Sequence, residues 1–255
     1  EFVRDYCAKH TIPFHSVKFD VEAYQKTGNY SVEMACRNLR YDWFKDVQKV
    51  NNLDYLVTAH HLDDNLETFI INLSRGTGLK GLVGMQIDNG KIFRPLLEFT
   101  KSQLIAYAQE NNLDWKEDYT NETDDYTRNK IRHHISPVLK EIHPQFNTNF
   151  LQTLEFLNDN QQIISQQIQL VKTSLFKGEN PIRINVDELK KLNPLASYLH
   201  YLFELYGFLS TKELIKFLDS NTGSEIKSDT YRLIKDRNDL LLIPIKNSTE
   251  NEIQI

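Results

Sequence analysis

Two cysteines in 255 residues, Cys7 and Cys36, stand far apart and form no Cys-x-x-Cys pair. That spacing gives no iron–sulfur or structural zinc pattern. Such thin cysteine usage fits a reducing compartment, so a cytoplasmic location is expected and both thiols read as small apolar side chains. Long apolar runs are missing too. No window approaches the ~20 unbroken apolar residues of a membrane span, and the longest apolar stretch, Leu240 to Ile245, is only strand-length, so no membrane partner is expected. The opening, Glu1-Phe2-Val3-Arg4-Asp5-Tyr6, places acid and base where a secretory signal needs apolar residues. It also reads as a helix already under way, so a start inside a longer protein is expected. A basic excess is the third absence. The net charge is −5, and contact with a polyanion must therefore rest on local charge. Internal repeats and low-complexity tracts are absent as well.

What is present is an ordinary globular composition, 40% hydrophobic and 25% charged. Helical and strand patterns alternate over the first ~145 residues, which predicts an α/β domain with a parallel sheet. Strands are expected at Phe14–Phe19, Leu53–Ala59 and around Ile92-Phe93, and helices at Val32–Val50 and Asp64–Leu73. Thr100 with Gln103 has the form of a capping box opening a helix to about Asn111. Near His143-Pro144 the character changes. From Phe150 to Leu175 apolar residues recur at helical spacing, and further helices are expected over Asp187–Tyr206, broken or restarted at Pro194, and Thr211–Leu218. Tyr231–Ile234 and Leu240–Ile245 read as a terminal hairpin. The expected division is thus 1–145, α/β, and 146–255, mainly helical.

The densest chemistry lies at His60-His61-Leu62-Asp63-Asp64-Asn65-Leu66-Glu67-Thr68, where the strand over 53–59 ends. Ligands of open α/β sheets bind at the carboxyl ends of strands. Asp64 and Glu67 share a helix face and can hold an ammonium group or Mg²⁺. Carboxylates in a first turn also simply suit the helix dipole. The two histidines lack a third ligand at zinc spacing, so no protein metal centre is expected. Arg75 opens a loop, 75–84, with four glycines (Gly76, Gly78, Gly81, Gly84) that lets backbone approach a ligand. Arg37 and Arg40 share a helix face and can pair with phosphate, or with nearby acids. An acidic stretch, 114–125, is followed by Arg128, Asn129, Lys130 and Arg132, with the two arginines one turn apart near a helix start, where an anion can bind.

In this order the blocks resemble the tRNA(Ile)-lysidine synthetase family, within the N-type ATP pyrophosphatases. Its A-R-x-x-R-Y pattern appears as Cys36-Arg37-Asn38-Leu39-Arg40-Tyr41, with Cys for Ala. Its H-H-x-x-D-x-x-E-T pattern is His60 to Thr68, its R-G-[ST]-G-L-x-G-L loop is Arg75 to Leu82, and its D-x-[ST]-N and R-N-x-[IL]-R patterns are Asp118–Asn121 and Arg128–Arg132. The resemblance spans essentially the whole chain. The family's Ser-Gly-Gly-x-Asp-Ser phosphate loop is not among these residues and is expected upstream of Glu1; the third, C-terminal tRNA-binding domain of many members is not among them either.

The resemblance implies an adenine nucleotide alpha hydrolase-like domain followed by a helical substrate-binding domain. It implies ATP and Mg²⁺ as cofactors, and isoleucine tRNA and free L-lysine as partners, with a homodimer left open. The cytidine carbonyl attacks the α-phosphate of ATP, and the lysine amine then displaces AMP from the adenylated base. In that scheme Asp64 and Glu67 hold lysine with help from Asp63, and His60 contacts nucleotide or moves a proton. Arg37 and Arg40 contact phosphate or nucleotide, and Arg128, Asn129, Arg132 and Arg75 contact tRNA or the adenylate. A tRNA thiolase of the same superfamily, and an inactive tRNA-binding protein, are the rival readings; the thiolases use cysteine pairs that this chain lacks.

Overall fold

A computed structural model of the protein describes residues 1–117, 123–124 and 126–245. The Asp118–Asn121 motif, Glu122 and Asp125 lie outside the described residues. The chain divides into two compact units, Glu1–Asn158 and Asp159–Ile255.

The first unit begins with α1 (Phe2–Lys9), α2 (Val21–Lys26) and α3 (Val32–Asn51). Caps fix where these helices start: the Asp20 carboxylate accepts from the Ala23 N–H, and the Ser31 hydroxyl from the Met34 N–H. Asn52, at φ 51, ends α3 in the left-handed region that asparagine tolerates. Next come β1 (Leu56–Val57), α4 (Leu62–Ser74), α5 (Leu79–Leu82) and β2 (Ile92–Phe93). β1 and β2 pair in parallel, Leu56 with Ile92 and Val57 with Phe93. The strand expected at Phe14–Phe19 is in no ladder among the described residues. Alternation makes a strand only where a partner accepts its hydrogen bonds, and here Phe19 instead packs edge-on against Trp43, with ring centres 6.4 Å apart.

α6 (Lys101–Glu110) starts at the expected capping box: Thr100 Oγ1 accepts from the Gln103 N–H at 3.2 Å, and Gln103 Oε1 from the Thr100 N–H at 2.8 Å. α7 (Thr127–Lys130) runs into a π-turn, Ile131–Ile135, and then α8 (Ser136–Ile142). The long α9 (Phe146–Leu175) crosses the boundary between the units. Its first part closes the core under α4: Leu62 and Leu66 pack with Phe150 and Leu154, and the Phe69 and Phe150 rings meet edge-on at 5.5 Å. Each such aliphatic side chain taken out of water contributes about 1.5–3 kcal/mol, enough to hold the α4 backbone in place.

The second unit contains β3 (Phe176–Lys177), β4 (Ile182–Asn185), α10 (Val186–Lys190), α11 (Leu195–Phe203), α12 (Thr211–Leu218), β5 (Glu225–Lys227), β6 (Tyr231–Asp236) and β7 (Asp239–Pro244). The helix expected over 187–206 is two helices, restarted after Pro194, which cannot donate the interior hydrogen bond. The expected hairpin is β6–β7, but it is the centre of a five-stranded antiparallel sheet ordered β3-β4-β7-β6-β5. Leu233, Leu240 and Leu242 point from that sheet, at zero exposure, into a core with Leu189, Leu199, Phe203 and Leu214.

Candidate active site

The site is built where β1 and β2 end and α4 begins. Two positions after Val57, the chain leaves the ladder at Ala59, and His60 follows. His61 is the N-cap of α4, and its N–H is accepted by Asp64 Oδ2 at 3.0 Å. The helix start thereby fixes the carboxylates in its first turn.

Three side chains of α4 then take different environments. Glu67 is fully buried. Arg132, from the π-turn, grips it with a two-pronged contact, Nε to Oε1 at 2.7 Å and Nη2 to Oε2 at 3.1 Å. Arg128 Nε lies 3.5 Å from Glu67 Oε2, and Arg128 Nη2 donates to Thr68 Oγ1 at 3.0 Å, which itself donates to the Asp64 carbonyl. Burial pushes the Glu67 carboxyl above its ordinary value while the Arg132 fork opposes that shift. Burial lowers Arg132, but its bond to Glu67 together with the charges of Glu67, Asp64 and Asp63 leaves it raised. The fork geometry decides for the ion pair, because a neutral Glu67 would leave a half-buried guanidinium without its counter-charge.

Asp63 faces elsewhere. Lys140 of α8 bonds its Oδ1, and the Lys101 N–H donates to its Oδ2 at 2.7 Å. Burial pushes this carboxyl up, but His61, the Lys101 N–H and Lys140 together hold it well below the ordinary carboxylate range. Asp64 lies between: His61 Nε2 is 3.4 Å from its Oδ2 and Arg132 Nη2 is 3.7 Å from its Oδ1. The two carboxylates that share a helix face in the sequence are therefore unlike. Both oxygens of Glu67 are engaged by Arg132, whereas Asp64 keeps one-sixth of its side-chain surface open.

His60 is hydrogen-bonded through Nδ1 to Thr58 Oγ1 at 2.8 Å. Burial lowers the His60 imidazole, Asp64 pulls it up, and Arg94, Arg128 and Arg37 push it further down. Burial and the charges of Arg94, Arg128 and Arg37 thus favour the uncharged imidazole, against Asp64. Arg94 was not singled out in the sequence. It follows directly on β2, is 7% exposed, and donates through Nη1 to the Gln86 carbonyl at 2.8 Å while its Nε has no hydrogen-bond partner. The available signal was a cation immediately after the short apolar run Ile92-Phe93, at the strand end where ligands bind.

The remaining predicted residues are more dispersed. Arg37 is exposed, sits with its guanidinium 4.7 Å over the Tyr41 ring, and lines a cleft of about 310 Å³ with Tyr24 and Lys45. Arg40 and Arg75 are exposed. Asn129 is buried, and its Nδ2 donates to the Thr123 carbonyl at 2.6 Å. Asp124 pairs with His133 and His134 rather than with Arg128. The glycine-rich loop is tied to α4 by buried Asn65, whose Oδ1 accepts from the Met85 N–H at 2.8 Å. Among the described residues no three His, Cys, Asp or Glu side chains gather as a metal-ligand group.

Residues 1–139 match the PP-loop domain model, and residues 177–245 match the TilS substrate binding domain model. A protein of Bacteroides thetaiotaomicron named tRNA(Ile)-lysidine synthase is 36% identical over 254 residues, which is 99% of this chain and 59% of that protein. One of the same name from Porphyromonas gingivalis is 34% identical over 252 residues, 98% of this chain and 55% of that protein. Another, from Bacillus subtilis, is 32% identical over 231 residues, 86% of this chain and 49% of that protein. The chain thus spans between about half and three-fifths of the length of these relatives. With the PP-loop model matched over more than half of its length, the chain belongs to the PP-loop family, and along nearly all its length it is similar to proteins named tRNA(Ile)-lysidine synthase.

Proposed function

We propose that this protein joins lysine to the wobble cytidine of an isoleucine tRNA at the expense of ATP, through an adenylated base, in the cytoplasm. One observation carries the reading: where two parallel strands end, Asp64 keeps part of its side chain open, 3.7 Å from Arg132, on the same helix start that buries the Glu67–Arg132 pair. Arg94 and Arg128, each with a buried Nε that makes no hydrogen bond, suit the phosphates of a nucleotide. Asp64 suits the lysine ammonium and can take a proton from it as the amine becomes nucleophilic. Glu67 works through Arg132 and Arg128, fixing both cations against α4. Asp63 braces α6 and α8 and is already fully engaged. Mg²⁺ would neutralise phosphate charge as ATP's counter-ion; among the described residues no three His, Cys, Asp or Glu side chains gather to hold it.

The test is incorporation of labelled lysine into isoleucine tRNA by the protein expressed in full, with ATP and Mg²⁺. Lysine transfer without sulfur transfer is expected. Failure to transfer lysine, with ATP–pyrophosphate exchange intact, would overturn the reading.

A further inference from the structure

The cleft of about 310 Å³ on α2 and α3 takes no part in the chemistry above. Tyr24 reaches it from α2, and Arg37, Asn38, Tyr41, Asp42 and Lys45 reach it from α3. Its aromatic wall is held in place from behind. The Tyr24 ring stacks on Tyr30, with centres 5.4 Å apart and planes 20° apart. Tyr30 is itself fixed: Gln25 Nε2 donates to its carbonyl at 3.1 Å, and its ring lies so close to Gly28 that a Cβ there would meet it at 2.4 Å. A side chain at position 28 would push the Tyr30 ring away. The polar wall, by contrast, has groups to offer. Among the described residues the Asn38 side-chain amide makes no hydrogen bond, and Arg37 is exposed over the Tyr41 ring. The acid of the cleft, Asp42, is bonded to Lys45 at 2.8 Å. Arg37 links the cleft to the site at the strand ends, since its charge also bears on His60.

We propose that this cleft takes one unpaired RNA base, the neighbour of the reacting cytidine in its strand, stacked on Tyr24. It rests on the reading above in one respect, that RNA is the substrate. Three features favour an RNA base. A phenol ring, a side-chain amide and cations are what single-stranded nucleic acid uses on a protein: a plane to stack on, donors and acceptors for a base edge, and charge for the backbone. The ring is already backed by Tyr30, so little ordering is left to do when a base arrives. Charge then separates RNA from ATP. Two cations and one acid leave the cleft a single positive unit, which matches one phosphodiester and falls well short of a triphosphate. The volume lies at the small end of the range for small-molecule sites, as one base requires. With the cytidine at the strand ends, Arg37 stands where the phosphate joining the two nucleotides would pass.

The experiment measures binding of isoleucine tRNA to the protein expressed in full, with intact tRNA and with tRNAs made abasic at one or the other position flanking the cytidine. Tyr24→Leu keeps an apolar contact for Tyr30 and removes the aromatic face. It should weaken binding of intact tRNA roughly five- to hundredfold, the worth of one stacked base. Tyr24→Phe should bind as the unaltered protein does. One of the two abasic tRNAs should bind the unaltered protein as weakly as intact tRNA binds Tyr24→Leu. On that tRNA Tyr24→Leu should lose nothing more, because ring and base act as a pair. The KM for ATP should hold throughout. Undiminished binding of both abasic tRNAs to the unaltered protein would overturn the proposal without recourse to any variant. An equal loss from Tyr24→Leu on intact and both abasic tRNAs would also overturn it. A raised KM for ATP at unchanged tRNA binding would give the cleft to ATP. A lowered melting temperature at unchanged tRNA binding would leave the two tyrosines as packing between α2 and α3. Full dependence on Tyr24 and on one flanking base, with no lysine transfer by the unaltered protein, would instead sink the proposed reaction and leave the base site standing.

Discussion

Glu67 stabilises the site only as long as Arg132 is there, and Arg132 only as long as Glu67 is. A buried pair held by two short hydrogen bonds contributes little net stability against well-packed apolar residues, but breaking it strands a charge. Glu67→Gln should therefore cost about 3 kcal/mol in urea unfolding. The double change Glu67→Leu with Arg132→Leu should recover most of that stability and none of the lysine transfer. Recovery of transfer in the double variant would show that the pair has no part in the chemistry. Asp63 makes a pH-dependent contribution with a definite sign. Its folded pKa is depressed, so the stability it provides is complete above the unfolded carboxylate value, about 3.9, and is lost as pH falls through that value toward the folded one. Asp63→Asn should flatten the acid limb of the unfolding midpoint below about pH 4 and leave neutral pH with a constant offset. An unaltered acid limb would mean that Lys140 and the Lys101 N–H do not hold this carboxylate in solution.

Elements differ in how far the sequence reveals them, and the reason is physical. α3, α6 and α12 were legible because each carries a local signal, a side-chain cap at its start from Ser31, Thr100 or Ser210, and α4 because acids fill its first turn and apolar residues follow. β3 and β5 were not, because strands of two and three residues hold no period to read and exist only through their pairing with β4 and β6. The π-turn at Ile131–Ile135 was also invisible. It inserts an irregular turn between α7 and α8 and carries Arg132, which meets Glu67 sixty-five residues away. In the site, Asp64 and His60 were legible as residues, but their division of environment from Glu67 was not, since burial is a tertiary property. The glycine loop makes the same point with a sharper test. Gly84 sits at φ 73, and a Cβ there would lie 2.6 Å from the Oδ1 with which Asn65 holds Met85. Gly90, at φ 78, faces open space. Gly84→Ala should cost about 2–4 kcal/mol, from strain plus collision, and Gly90→Ala about 1 kcal/mol, from strain alone. Equal losses by chemical denaturation would show that the loop is not seated on α4 through Asn65.

At the scale of the whole molecule, a net charge of −5 gives no general attraction to tRNA, so the cations that do touch phosphate must be identified one at a time. The family resemblance implies tRNA or adenylate contact for Arg128, Arg132 and Arg75 alike. The structure separates them. Arg128 and Arg132 turn toward α4 and are bonded to Thr68 and Glu67, with about a third or less of each side chain exposed. Arg75, at the end of α4, and Arg40, on α3, are exposed, and among the described residues their side chains have no hydrogen bond or ion pair. A cation already neutralised by a buried carboxylate releases no counterion when RNA arrives, whereas a solvated one does. Arg75→Ala should therefore lower the slope of log affinity for isoleucine tRNA against log salt by about one unit, with turnover at saturating tRNA preserved. Arg128→Ala should leave the slope in place and depress turnover, because it removes a cation from the arginines around His60 and loosens Glu67. The measurement is tRNA binding across a salt series, paired with lysine transfer under saturation. The reverse pattern, a flattened slope for Arg128→Ala and none for Arg75→Ala, would put phosphate at the buried network. The carboxylate cluster of α4 would then be anchoring an RNA-facing patch instead of preparing a catalytic one.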